Sequence, residues 1–242
     1  MNLTSKKIEY QVGAVTHSGY LAWDQDIEEP RPGIIVIHEW WGLNDYIKHR
    51  ADMLAEQGYG AFAIDMYGDG LTADNPETAG NLMNGVLEDM QTGTARLQAA
   101  VQTIKDQPQV DSNRVAAIGY CFGGAMALHL ARIGEPLGAV VSFHGALGSF
   151  HQPAAGEVSA RILVCHGGDD AMVSSDDVTA FKNEMDAAEA NYEVIVYPGA
   201  QHGFSSPEAD QNGAKYGIPV GYNADADNAS WKAMLQLFDE VF

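Results

Sequence analysis

The 242-residue sequence predicts an α/β protein, a mostly parallel sheet covered by helices on both faces. Three observations carry that expectation. Short apolar runs of strand length, several rich in branched residues, recur along the chain, among them Ile34-Ile35-Val36-Ile37, Ala61-Phe62-Ala63-Ile64 and Ala139–Phe143. Segments with helical spacing of apolar residues stand between them. The residues best suited to chemistry fall just after the runs, at the carboxyl ends of the predicted strands, where open parallel sheets place their sites.

In chain order, Ile8 to Trp23 suits an antiparallel hairpin at a sheet edge, its apolar residues arranged around Ser18-Gly19. Ile34–Ile37, after Pro30-Arg31-Pro32-Gly33, reads as the first strand buried on both faces. Asn44 can cap a helix that carries Ile47, Ala51 and Leu54 on one face and ends at Gly58. Ala61–Ile64 is the next buried strand. Leu82, Val86, Met90, Leu97, Val101 and Ile104 predict one long helix after Pro76. The pattern then repeats. A strand precedes Cys121, a helix covers Ala125–Arg132, and the strands 139–143, 161–165 and 192–197 follow, with a helix around Phe181–Ala188 between the last two. A C-terminal helix carries Trp231, Met234, Leu235 and Phe238 on one stripe. No repeat, linker or low-complexity segment divides the chain, so residues 1–242 are expected to form a single domain.

Composition excludes several function classes. There are 33 acidic residues against 13 lysines and arginines, a net charge of −20. That balance argues against nucleic acid and anionic membrane as partners, since phosphate binding needs clustered bases. Two cysteines, Cys121 and Cys165, give no disulfide framework and no zinc spacing. The N-terminus lacks the apolar core of a signal peptide and no run reaches membrane-spanning length, so a soluble, cytoplasmic protein is expected. No cofactor or metal is called for. Oligomeric state is not legible, and a homodimer stays open.

Gly119-Tyr120-Cys121-Phe122-Gly123-Gly124 follows the apolar run from Arg114 and reads as a strand driven through a sharp turn into a helix. This is the form of the nucleophile elbow G-x-S-x-G, with cysteine for serine. Taken alone, it fits an inert buried cysteine in a glycine-rich turn equally well. Two later segments break the tie. His166-Gly167-Gly168-Asp169-Asp170 closes one strand and Gly199-Ala200-Gln201-His202 closes the last. A thiol nucleophile needs a base to ionise it and a carboxylate to orient that base. The order of Cys121, Asp170 and His202, each at a strand end, is that of a triad on the α/β-hydrolase fold. The pattern His-Gly-x-x-Asp-x-x-Val selects Asp170 over Asp169, one of which can instead cap the next turn. His17, His49, His129 and His151 read as structural or exposed, His166 as a brace for Asp170, and His144 as pocket lining or brace. His38-Glu39 lacks the second histidine of a zinc-protease helix.

With Ile37-His38-Glu39-Trp40-Trp41-Gly42-Leu43-Asn44 after the first buried strand, these motifs resemble the dienelactone hydrolase family from about Gly33 to the final helix. The resemblance implies that Glu39 contacts the nucleophilic thiol and controls its proton; otherwise Glu39 is a capping or salt-bridging acid. It also implies an oxyanion hole made by the backbone N–H groups of Trp40 and Phe122. The chain departs from the family where two arginines should clamp an anionic lactone. Leu71 to Met90 contains no base, and after His202 the next is Lys215. A buried substrate carboxylate without a charged partner would be strongly disfavoured. Neutral substrates are therefore expected, in an apolar pocket to which Trp40, Trp41, Tyr67, His144, Phe122 and Phe204 contribute.

The sequence thus reads as a cysteine-dependent hydrolase of neutral esters or lactones, working through a thioester. Attack of the same thiolate on activated phosphotriesters is chemically allowed. The alternatives are a true dienelactone hydrolase, a thiol redox or transferase protein using Cys121 as a sensor, and a binding module without turnover.

Overall fold

The apolar runs form the buried strands of the computed structural model, which describes residues 1–242. The elements are β1 (Leu3–Val12), β2 (Val15–Asp24), β3 (Arg31–Ile37), α1 (Asp45–Glu56), β4 (Gly60–Ile64), α2 (Pro76–Leu87), α3 (Met90–Lys105) and β5 (Val110–Tyr120). They continue with α4 (Phe122–Arg132), β6 (Ala139–Phe143), β7 (Arg161–Gly167), α5 (Ser175–Ala187), β8 (Tyr192–Tyr197), α6 (Ala209–Tyr216) and α7 (Ala224–Val241). The strand order is β1-β2-β4-β3-β5-β6-β7-β8. β1 pairs antiparallel with β2 and β2 antiparallel with β4, whereas β3–β4, β6–β7 and β7–β8 are parallel. Helices connecting parallel neighbours and an antiparallel edge give an α/β-hydrolase-type sheet. The chain forms two compact units, Met1–Ile118 and Gly119–Phe242.

In the first unit Ile34–Ile37 and Ala61–Ile64 have no exposed surface, as strands covered on both faces should. Asn44 caps α1 by accepting from the Ile47 N–H at 3.2 Å, and Ile47, Ala51 and Leu54 form its buried face. Two details differ from the expectation. The hairpin turns at Gly13-Ala14, between Val12 and Val15, not at Ser18-Gly19. Gly13 supplies the positive φ of 61° that such a tight turn needs. Gly19 instead lies within β2, where a Cβ would stand 2.3 Å from the Phe62 ring. The long helix after Pro76 is two helices. Helical periodicity runs across the break, but Asp89 accepts from the Thr92 N–H at 3.1 Å and starts α3 afresh.

In the second unit every residue of α4 is buried. The helix ends on Arg132, whose guanidinium pairs with the Glu184 carboxylate at 2.7 and 2.9 Å and donates to the Leu147 carbonyl at 2.7 Å. That buried fork ties α4 to α5 and to the chain after β6. The C-terminal stripe buries Met234, Leu237 and Phe238, with Trp231 and Leu235 half-buried at its margin. α6 was not foreseen; its short run Ala209–Tyr216 buries only Ala209 and carries little periodic signal.

Candidate active site

The elbow is set by backbone, not by side chains. β5 delivers the chain to Cys121, whose φ of 53° and ψ of −116° are a strained conformation for a non-glycine residue. The turn closes only because Gly119 has no side chain: a Cβ there would stand 2.0 Å from the Gly123 carbonyl oxygen. Gly124 is equally constrained, its Cβ position lying 2.6 Å from Ser142 Oγ and 2.9 Å from Gly145 Cα. The Cys121 N–H donates to the Phe143 carbonyl at 3.0 Å, anchoring the apex to the end of β6. Cys121 is part-exposed, and Phe122 begins α4, where a backbone N–H has no acceptor within the helix. Exposure and strain distinguish Cys121 from Cys165, which is fully buried in β7 with burial pushing its thiol up to about 12.

Asp170 and His202 arrive on the loops after β7 and β8. These loops touch backbone to backbone, since a Cβ on Gly167 would lie 2.5 Å from the Ala200 carbonyl. The Asp169 N–H reaches that same carbonyl at 2.9 Å and the Gly168 N–H reaches Tyr197 O at 2.8 Å. Close approach brings Asp170 Oδ2 to 2.9 Å from His202 Nδ1. Asp170 Oδ1 is held by the Met172 and Val173 N–H groups at 2.8 and 3.0 Å. Of the adjacent acids, then, Asp170 faces the imidazole and Asp169 lies exposed.

Electrostatics follow from this placement. Burial opposes charge on Asp170, but the His202 bond and the two N–H donors prevail and hold its carboxyl below the ordinary range. Burial likewise disfavours charge on His202, yet the charge of Cys121 and the Asp170 bond outweigh it and raise the imidazole to about 10. His202 Nε2 is buried and makes no hydrogen bond of strict geometry, although Cys121 is close enough to act on it through charge and a loose contact. Such bonds are often loose in an unliganded site. The arrangement can hold a proton on the imidazole beside the sulfur.

Three neighbours support His202. His144, at φ 40°, bonds Ser205 Oγ through Nε2 at 2.7 Å, and its ring meets that of His202 at 5.4 Å, edge to face. Phe204 packs on His144 at 5.1 Å and on Tyr197 at 5.6 Å. His144 and Phe204 have no exposed surface and stand behind the His202 ring, so Phe204 is a brace where a pocket wall was expected, and His144 takes the bracing place of its two expected ones. His166, 5% exposed, feels both Asp170 and His202; burial lowers its pKa, which keeps it neutral.

In the first unit Glu39 is buried just beyond β3, and Trp40 and Trp41 are half-buried with their rings 4.9 Å apart. Tyr67 is a brace: its hydroxyl donates to the Trp40 carbonyl at 2.7 Å and the residue is 5% exposed. Sequence reasoning missed Asp65. Its buried carboxylate gathers the N–H groups of Tyr67, Gly68, Gly70 and Ser18 at 2.8–3.2 Å and shapes the loop after β4. The positive φ values at Gly68, Asp69 and Gly70 belong to that loop, and an acid at a strand end before Gly-Asp-Gly was its signal. No group of three or more His, Cys, Asp or Glu side chains is arranged to hold a metal ion. No helix is long and apolar enough to cross a membrane.

Comparison with known proteins gives a consistent result. A family model described as the dienelactone hydrolase family matches residues 18–242. The crystal structure of a dienelactone hydrolase-like promiscuous phosphotriesterase from metagenomic libraries is 38% identical, with TM-score 0.92 and full coverage of both chains. A structure named m3DLH is also 38% identical, with TM-score 0.93 over both whole chains. Protein usf of Aquifex pyrophilus is 32% identical over 205 residues, 81% of this chain and 85% of that protein.

Proposed function

Because the chain belongs to the dienelactone hydrolase family and is an ester-acting hydrolase by that membership, we propose that it cleaves neutral carboxylic esters or lactones with Cys121 as nucleophile. The observation that carries this reading is the Asp170–His202 bond of 2.9 Å beside a part-exposed cysteine on a strained elbow. His202 Nε2 takes the Cys121 proton and the thiolate adds to the carbonyl carbon. The oxyanion rests on the Phe122 N–H and, by the family's assignment, the Trp40 N–H. Collapse breaks the bond to the leaving oxygen, which receives the proton from His202 and leaves a thioester. His202 then deprotonates water, the hydroxide adds to the thioester, and the thiolate departs with its electron pair as the acid forms.

Glu39 keeps the family's role in this proposal: its carboxylate keeps the thiol protonated until substrate arrives, when the proton passes to His202. Neutral, activated phosphotriesters fall within the same machinery: the thiolate attacks phosphorus and an aryloxide leaves. The named activity of the metagenomic relative supports that extension. A redox role for Cys121 has less support, because the second cysteine is a fully buried thiol held protonated.

The test is intact-protein mass spectrometry during turnover of a p-nitrophenyl ester, with a paraoxon-like triester run alongside. An acyl adduct on Cys121 that disappears in Cys121→Ala, together with the loss of both activities, is expected. Ester turnover surviving in Cys121→Ala refutes the assignment. A Cys121–Cys165 disulfide in place of the acyl adduct favours redox work.

A further inference from the structure

We infer that His38 is a positioning residue for catalysis, a neutral imidazole that aims the Trp40 N–H by holding the carbonyl of the preceding peptide. This rests on the reading above, in which Trp40 supplies an oxyanion donor.

The geometry lies wholly within the first unit. His38 has no exposed surface, and its two ring nitrogens meet different parts of the backbone. The Met66 N–H lies 3.1 Å from Nε2, and as a donor it requires a lone pair there. The proton therefore sits on Nδ1, which donates to the Glu39 carbonyl at 2.5 Å. The same oxygen also accepts from the Gly42 N–H at 3.2 Å. Glu39 C=O and Trp40 N–H belong to one planar trans peptide, since the chain contains no cis bond. Fixing the direction of that carbonyl fixes the opposite direction of the N–H. Two donors on one carbonyl also polarise the peptide and make its N–H a better donor.

The clamp is continuous with the loop after β4. That loop supplies Met66 N–H to His38 and the Tyr67 hydroxyl to the Trp40 carbonyl, so the carbonyls on both sides of Trp40 are held. Gly42 is required by the turn: its φ is +91° and a Cβ would stand 2.7 Å from Leu71 O. Burial keeps His38 neutral, its pKa lowered to about 4 against the pull of the Glu39 carbonyl and Asp65. A charged ring would present a second N–H to the Met66 donor and break the clamp.

A purely structural histidine and a positioning one differ in what they change. An oxyanion donor matters when a carbonyl becomes tetrahedral and is irrelevant when thiolate displaces iodide from iodoacetamide. The experiment pairs the two reactions in His38→Leu, which removes both ring contacts, and His38→Gln, whose amide offers one donor and one acceptor at similar spacing. For His38→Leu, kcat on a p-nitrophenyl ester should fall by roughly 10- to 100-fold with KM little changed, below the full loss of a donor. Alkylation of Cys121 should stay within about twofold of wild type, because the thiol and His202 are untouched. His38→Gln should recover most of kcat.

An unchanged kcat in His38→Leu, an equal fall in alkylation, or no recovery in His38→Gln overturns the assignment. Should His38→Leu not fold, His38→Asn decides, since it keeps a donor near the Nδ1 position. Activity within about tenfold of wild type supports the clamp, and a larger loss overturns it. Cys121→Ala run in parallel separates the two levels: ester turnover surviving there fails the nucleophile assignment, whereas a thiol-dependent enzyme indifferent to His38 fails only this inference.

Discussion

Replacing Asp170 by asparagine tests the triad with little disturbance to packing. Asp170 Oδ1 accepts from the Met172 and Val173 N–H groups at 2.8 and 3.0 Å, and an asparagine carbonyl can keep both. The amide nitrogen must then face His202 Nδ1, where Asp170 Oδ2 now lies at 2.9 Å. That nitrogen donates, so His202 must present a lone pair at Nδ1 and carry its proton on Nε2. An imidazole in that tautomer cannot take the Cys121 proton. The imidazolium is opposed as well, because Asp170 is one of the groups that raise His202 to about 10.

A triad carboxylate replaced in this way typically costs roughly 10³–10⁴ in kcat, or about 4–5 kcal/mol of transition-state stabilisation. The assay is initial-rate hydrolysis of a p-nitrophenyl ester by Asp170→Asn, with thermal unfolding followed in the same samples. A large loss of kcat with a modest change in Tm is expected, since only one charge-assisted bond changes character. Activity within about tenfold of wild type, in a protein that unfolds normally, refutes the claim that Asp170 sets the tautomer.

Other outcomes follow from the same geometry. Gly119→Ala places a methyl 2.0 Å from the Gly123 carbonyl, a backbone clash no rotamer relieves; destabilisation of about 3 kcal/mol or more is expected in urea unfolding. Glu184→Gln leaves the Arg132 guanidinium buried without its countercharge, a loss of about 3–5 kcal/mol, checked by the shift in unfolding midpoint. His129 is buried, and desolvation, helped by Arg132 and His151, lowers it from 6.5 to about 4. The unfolded chain takes up this proton at 6.5 and the folded chain only near 4. Stability is therefore intact above pH 6.5 and falls as the pH drops towards 4, by about 3 kcal/mol. Unfolding midpoints at pH 7 and pH 4.5 should converge in His129→Gln by most of that amount; an unchanged pH dependence rules it out.

What was legible in the sequence divides along a physical line. Strands buried on both faces announce themselves as apolar runs, which is why Ile34–Ile37 and Ala61–Ile64 were placed correctly. Caps whose side chain bonds the backbone three residues on were legible at Asn44 but overlooked at Asp89, where apolar periodicity masked a two-residue break. Gly19 shows the opposite failure. A glycine reads as a turn signal, but this one makes room for Phe62, a partner distant in sequence. Asp170 and His202 stood out as candidate acid and base because each follows a strand end. Their approach depends on Gly167 lying against Ala200, which no local pattern encodes. Tyr67 and Phe204 were placed in a pocket on ring chemistry, and His144 at a strand end read as pocket lining or brace, whereas burial and bonding make all three braces.

Substrate charge follows from how each unit uses its cations. In the second unit Arg132 is bound to Glu184 and to two carbonyls, and Arg161 to Glu240 at the far end of β7 from Asp170. Its three lysines, Lys182, Lys215 and Lys232, lie on exposed helix positions. In the first unit no base occurs between Arg50 and Arg96, and Arg96 donates to the Met66 carbonyl at 2.8 Å. The arginines nearest the candidate site in sequence are thus engaged with backbone or carboxylate. Recruiting one to bind a substrate carboxylate would strand a buried partner, Glu184 in the case of Arg132. A net charge of −20 adds long-range repulsion of anions. A methyl ester should therefore be turned over much faster than the matching free monocarboxylate half-ester, and the gap should narrow as salt screens the repulsion. Equal kcat/KM for the two at low ionic strength would mean that an unrecognised cation serves the site.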